Sequence, residues 1–425
     1  MTKSASSAEI TRLGNGITVI VEPVESVRSI ALGIFVDCGS AFESSAQNGI
    51  SHFIEHMNFK GTAKRNAKQI AEELDSVGGK LNAYTSKEHT SYYSVVVDDC
   101  FDVALDLLAD IFFNSKYEKK DIDTEKQVIL QEIKMYEDSP DQYIHDLFVR
   151  NMWPGFYLGQ PVIGSKEVVR KITKKAILKY ISDHYLPEHI TISVAGNCDK
   201  KEVLAKIDQY FGSFVSTTER VKSFPLPSYN PGINLVKKDT KQVHLCLGTR
   251  GISYHNPNRY PLLVLSNILG GSMSSVLFQE VREKRGLVYS IYSYPMYFRD
   301  CGLFAVYAGA SMKNIKEVVQ IILDTFRTFP NLINDENLQR AKNQLKSGLV
   351  LGLESSTSKM SWNGKNFFYY RKAVSIDEVA EEVDRIKKED IIHLCKYLFD
   401  EKHYSLTAIG NFDGNPFEGM FNLQQ

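Results

Sequence analysis

The chain has 425 residues, of which 43% are hydrophobic and 24% charged, with a formal net charge of −1. That length exceeds what one hydrophobic core ordinarily organises and predicts two domains of about 200 residues each. The near-zero charge provides no global field for nucleic acid or an anionic membrane, and no apolar run approaches the roughly 18 residues of a membrane span, so neither nucleic-acid binding nor membrane insertion is expected.

The opening residues, MTKSASSAEITRLGNGITVIVEP, lack an apolar signal core and a cleavage pattern. The expected location is the cytoplasm, or an organellar matrix if a presequence has been removed. Cys38, Cys100, Cys198, Cys246, Cys301 and Cys395 are scattered without a CxxC pair. This spacing suits buried thiols in a reducing compartment and excludes a zinc ribbon or a thioredoxin-like site.

Residues 17–21 and 30–36 are rich in β-branched side chains and predict strands. Residues 48–57, NGISHFIEHM, read as a helix with two faces. Ile50, Phe53, Ile54 and Met57 fall at i, i+3, i+4 and i+7 and form a stripe to be buried. His52, Glu55 and His56 share the neighbouring face. Two imidazoles one turn apart can bind a single metal ion, and the glutamate between them then points at its open side. This is HxxEH, the reverse of the HExxH zinc-hydrolase spacing; the alternative is a metal-free core helix.

Helical spacing recurs in residues 67–77, 101–113 and 122–136. A catalytic zinc needs a third protein ligand and an open position. The last of these helices offers Glu125 and Glu132 on one face with Val128 and Ile129, where a carboxylate is costly to bury unless paired or metal-bound. Spacing alone leaves the choice between the two open. Strands and helices mix without a strict βαβ rhythm, which predicts α+β layers with largely antiparallel sheets.

The second half repeats the first. ITISVAGNCD (190–199) recurs as YSLTAIGNFD (404–413), an offset of 214. The same offset sets FDVALDLLADIFFN (101–114) against IKEVVQIILDTFRT (315–328), and residues 172–175 against 386–389. Three matches at one offset predict two copies of one domain. Pro225, Pro227 and Pro231 mark 216–232 as the linker between domains 1–215 and 233–425.

The blocks HFIEHMNFKGT (52–62), GSAFES (39–44), LNAYTSKEHTSYY (81–93), EKQVILQEIKMYED (125–138) and REKRGLVYS (282–290), with Glu132 76 positions after His56, resemble the pitrilysin/insulinase family of metallopeptidases over nearly the whole chain. The similarity is greatest to its mitochondrial-processing-peptidase branch and that branch's bacterial relatives. The resemblance implies two tandem homologous domains of the processing-peptidase/LuxS-like metallohydrolase type, and a zinc endopeptidase acting on extended, unfolded or presequence-like peptides in a closed chamber. It makes His52, His56 and Glu132 the ligands of one Zn2+ per chain, Glu55 the general base and Glu125 the carboxylate supporting the site. It assigns Asn82 and Ala83 to substrate pairing on an edge strand, and Phe53, Asp146, Arg282 and Tyr289 to the substrate, Arg282 and Tyr289 from the second domain. In the second copy, Leu263, Ser266 and Asn267 stand where the first has His52, Glu55 and His56, so that copy is expected to lack metal. Gln142 replaces one acid of the presequence-specific pair, and Gly270-Gly271 is too short for the glycine-rich loop of the non-catalytic partner subunit. A homodimer acting on peptide substrates follows. The rival is a non-catalytic structural subunit, whose motifs are degraded, whereas all five site residues are intact here.

Overall fold

The computed structural model describes residues 8–216, 218 and 225–420. The chain folds as α+β with two compact units, and each is interrupted in sequence. Unit 1 comprises Met1–Lys134, Gln160–Phe224 and Val350–Asp377; unit 2 comprises Met135–Gly159, Pro225–Leu349 and Glu378–Gln425. The linker expected at 216–232 falls partly outside the described residues, at 217 and 219–224; residues 225–231 form no helix or strand.

Unit 1 is built on β1 (Glu9–Arg12), β2 (Thr18–Pro23), β3 (Ser29–Val36), β4 (Lys80–Thr85), β5 (Thr90–Val97) and β6 (Ile190–Gly196), in the order β1-β2-β6-β3-β5-β4. Every pairing is antiparallel except β2 with β6. The unit also contains α1 (Ile50–Met57), α2 (Ala67–Asp75), α3 (Phe101–Phe113) and most of α4 (Lys119–Glu137). β3, SIALGIFV, is buried along almost its whole length. It reads as a continuous apolar run because both faces are covered. On one side α3 brings Phe112 to 6.0 Å from Tyr92, which pairs with Ile34. On the other, the helix Ser356–Tyr370 packs Met360 against Ala31 and Phe35. A Cβ at Gly364 would stand 2.3 Å from the Phe35 ring, so glycine sets how closely this helix can approach.

Unit 2 repeats the plan. After α5 (Pro140–Met152) come β7 (Gly232–Lys237), β8 (Val243–Arg250), β9 (Val288–Tyr297), β10 (Gly302–Ala310) and β11 (Ser405–Gly410), in the order β7-β11-β8-β10-β9. Only β7 with β11 is parallel. Leu245 and Leu247 of β8 and Phe304 and Val306 of β10 join Ile322, Phe326 and Leu394 in its core.

Taken in chain order, the five strands shared by the two sheets are arranged first-fifth-second-fourth-third in both, with the first and fifth parallel. The offset of 214 carries β2 onto β7, β3 onto β8 and the helix Lys174–His184 onto Lys388–Leu398, residue for residue. The duplication read from the sequence is therefore a duplication of topology.

A linear division of the chain misses an exchange between the copies. Helix α5 lies in the first half of the sequence, yet it packs in unit 2, with Phe148 against Gly248 of β8. The corresponding helix of the second half, Ser356–Tyr370, packs in unit 1. The cause is apolar burial: Ile144, Leu147 and Phe148 are at most 2% exposed on the sheet they cover. Among the described residues, no helix is long and apolar enough to cross a membrane, and Cys38, Cys246, Cys301 and Cys395 are buried.

Candidate metal centre

The helix α1 is short, and its start is held by its surroundings rather than by a serine or aspartate cap. Gly49, at φ 96°, turns the chain into it. The buried Glu43 carboxylate then accepts hydrogen bonds from Gly49 N at 2.6 Å, Ser51 N at 2.8 Å and Asn48 Nδ2 at 3.1 Å. An anion at a helix N-terminus satisfies the first free N–H groups and complements the dipole. Burial pushes the Glu43 carboxyl up to about 7, while the N–H groups of Gly49 and Ser51 pull it down. The Ser51 hydroxyl meets Tyr180 at 2.9 Å, tying the helix to its neighbour Lys174–His184.

The apolar stripe of α1 is buried as its spacing predicts: Ile50, Phe53, Ile54 and Met57 are at most 1% exposed. Phe53 is fully buried, which corrects its assignment to the substrate, because a ring enclosed in the core presents no surface to a peptide. His52, Glu55 and His56 occupy the half-buried face, with the two imidazole centroids 4.5 Å apart.

Helix α4 settles the places of the two glutamates. Its buried line is Ile122, Glu125, Ile129 and Ile133. Val128 is 44% exposed and Glu132 half-exposed, so the cost of burying a carboxylate falls on Glu125, not on Glu132. Glu125 Oε1 lies 2.7 Å from His56 Nδ1. Two helical turns further, Glu132 faces the other ring edges: Oε1 is 3.8 Å from His52 Nε2 and Oε2 3.7 Å from His56 Nε2. Ligand atoms of His52, His56 and Glu132 all lie within 4.8 Å of one another, and no other such group of three occurs among the described residues.

These residues fit a metal ion. Separations of 3.7 and 3.8 Å are too long for hydrogen bonds, and Glu132 Oε2 is buried without a hydrogen-bond partner. Two imidazole nitrogens and a carboxylate around one point, each able to reach a centre at about 2.1 Å, are the donor set of a hydrolytic zinc site. Burial drives His52 down to about 3, so its ring is neutral and its nitrogen lone pair is available at neutral pH. Burial also lowers His56, but Glu125 and Glu132 outweigh it and the net shift is upward. Glu125 is pushed up by burial and pulled further down by His56 and Lys60.

Glu55 stays outside the ligand set. Its Oε2 accepts a hydrogen bond from Thr85 Oγ1 at 2.5 Å, and burial raises its carboxyl above the ordinary value. Thr85 ends β4, one of the two edge strands of the sheet, so Asn82 and Ala83 lie on an edge. They pair inward with Tyr93 and Tyr92, and Asn82 Oδ1 accepts from Ala83 N at 2.8 Å. Beside β4, a cavity of about 650 Å3 is lined by Phe59, Ile70, Leu74, Leu81, Asn82 and Tyr93, among others.

The remaining expected residues belong to unit 2. The Arg282 guanidinium lies 5.5 Å from the exposed Tyr289 ring and 4.8 Å from Phe278. Asp146 is half-buried and, after burial itself, is what raises the Tyr136 hydroxyl. Asp138 pairs with Lys238 at 3.2 Å. Sequence reasoning missed Glu43 and Thr85. An acid a few residues ahead of a glycine-started helix is a signal for the first; nothing local marks the second.

A duplicated α+β chain in which one copy gathers two histidines and a glutamate around one point falls in the class of two-domain metallopeptidases with the inverted motif. More narrowly, the chain belongs to the insulinase family, peptidase family M16: residues 18–166 match that family and residues 171–345 its inactive domain. It is 40% identical to a Bacillus subtilis protein named as an uncharacterized zinc protease, over 93% of this chain and 96% of that one. A Rickettsia felis protein of the same description is 38% identical, over 97% and 98%. The fold matches the crystal structure of a protease from Helicobacter pylori with a TM-score of 0.88 at 22% identity, covering 95% of this chain and 99% of that one. The match to an inactive domain accords with the helix Arg259–Gly270, RYPLLVLSNILG, which holds Leu263, Ser266 and Asn267 and no histidine or carboxylate.

Proposed function

We propose that this chain is a zinc-dependent endopeptidase that hydrolyses extended, unfolded peptides, presequence-like segments among them, with one zinc per chain held by His52, His56 and Glu132. The observation that carries the reading is the convergence of both Nε2 atoms on the Glu132 carboxylate while Glu55, on the same helix, stays free of the ligand set. Zinc held by these three residues would supply the Lewis-acid polarisation that activates water for hydrolysis. Glu55, its carboxyl raised by burial, is placed to take a proton from the water that attacks the peptide carbonyl and to return it to the amine that leaves as the C–N bond breaks. Glu125 holds the His56 ring in the tautomer that turns Nε2 toward the site. The substrate backbone adds to the edge of β4 at Asn82 and Ala83, which requires an extended chain with free N–H and C=O groups.

In this proposal Arg282 and Tyr289 act on the bound peptide, and Asp146 favours a basic side chain. The working unit is a homodimer enclosing a chamber, located in the cytoplasm. The test is a pair of variants in purified protein. Glu55→Gln should retain zinc and lose peptide hydrolysis, whereas His52→Ala should lose zinc. Hydrolysis at the wild-type rate by Glu55→Gln would overturn the assignment.

A further inference from the structure

Two residues past the C-cap of α1, the backbone makes a tight turn, with Phe59 N bonded to His56 O and Lys60 N to Met57 O. The turn brings the Lys60 ammonium to 2.6 Å from Glu125 Oε2. The other oxygen of the same carboxylate is the one 2.7 Å from His56 Nδ1. Lys60, Glu125 and His56 thus form a line from solvent to the metal face. Lys60 is 36% exposed, Glu125 2% and His56 23%.

This is unlike the surface ion pairs elsewhere on the chain. An exposed pair is worth roughly 0–1 kcal/mol because water screens it. Here the acid is enclosed, and one side of it is already committed to a ring whose orientation matters. A carboxylate has two oxygens and a freely turning terminal bond. Anchoring Oε2 fixes the plane of the group and therefore where Oε1 points. Without the anchor, Oε1 is free to swing off Nδ1, and the imidazole loses both its orientation and its tautomer.

We propose that Lys60 is a positioning residue of the metal centre, acting through Glu125 to hold His56 with Nε2 toward the ion. The inference rests on the assignment of His56 as a ligand. It requires that the effect of Lys60 vanish when Glu125 can no longer carry it.

The test is zinc affinity of the full-length protein, measured by competition with a chromophoric chelator. Lys60→Met should weaken zinc binding by about 10- to 100-fold, the range for residues that orient a ligand. Lys60→Arg, which keeps the charge, should stay within about threefold of wild type, close to the scatter of such comparisons. In a Glu125→Gln background, Lys60→Met should add less than about twofold, because the two act as one unit. Lys60→Gln supplies the same comparison if the methionine variant fails to fold. A Lys60→Met protein with wild-type zinc affinity, or losses that multiply in the double variant, would overturn the proposal. His56→Ala is the separating control: if it keeps zinc, the ligand assignment itself fails, whereas a zinc-deficient His56→Ala beside an unaffected Lys60→Met defeats only the role of Lys60.

Discussion

Gly49→Ala isolates how much of the metal centre depends on the entry into α1. Gly49 sits at φ 96°, and a Cβ there would lie 2.7 Å from Gly164 Cα, 3.0 Å from Ile163 O and 3.2 Å from Gly164 N. All three are backbone atoms, so no side chain can swing aside. The left-handed conformation alone costs an L-residue about 1–2 kcal/mol. Overpacking a closed contact adds about 1–3 kcal/mol, and the smaller unfolded-state entropy returns about 0.4–1 kcal/mol. The net loss is about 1–5 kcal/mol, from the sum of these ranges. The strain relaxes by shifting the start of α1. That shift loosens the 2.6 Å bond from Gly49 N to Glu43 and moves His52, three residues on. Zinc ligands must be held within about 0.5 Å, so zinc affinity falls with stability. The control is Gly78→Ala, because Gly78 has φ 66° and a Cβ there would meet nothing within 4 Å. It should cost only the conformational part less the same entropy return, about 0–2 kcal/mol, and leave zinc affinity unchanged. Urea unfolding of the zinc-free proteins and chelator competition of the loaded ones measure both effects. If Gly49→Ala unfolds at the wild-type midpoint, or binds zinc as Gly78→Ala does, the account of α1 is wrong.

Stripping zinc with a chelator should abolish hydrolysis and lower the melting temperature, and added zinc should restore both; ligand at 1,000 times its Kd contributes about 4 kcal/mol to stability. Arg65→Met should destabilise by about 3–5 kcal/mol, because Arg65 is the cation at 2.9 Å from Asp110, which is 1% exposed. Burial pushes the Asp110 carboxyl up, but Thr62, Arg65 and Asn114 outweigh it and hold it below its ordinary value. A lowered carboxyl contributes stability above about pH 3.9 that is lost as pH falls through and below that value, so the acid limb of stability against pH should be shallower in Arg65→Met than in wild type. A peptide N-methylated at the residues that add to β4 should be cleaved far more slowly than its parent; equal rates would rule out strand addition. Sedimentation at assay concentration should show a dimer, and a fully active monomer would refute the homodimer.

What the amino-acid order determined by itself was local and periodic. The buried stripe of α1 and the shared face of His52, Glu55 and His56 follow from 3.6 residues per turn, so they were legible before any packing was known. The duplication was legible too, because a repeated strand keeps its pattern, and β2 and β3 map onto β7 and β8 at the same offset of 214. Glu125 and Glu132 stayed indistinguishable at that level: seven residues apart, they share a helical face about 10 Å apart along the axis. Only the crossing of α4 over α1 separates them, sending Glu125 to Nδ1 and Glu132 to the two Nε2 atoms. The same limit hid Thr85 on Glu55, 30 residues away, and the exchange of α5 and Ser356–Tyr370 between the two sheets. Periodicity says which side of an element is apolar. It does not say which partner covers that side, because a partner distant in sequence is chosen by shape and buried area once the chain has collapsed.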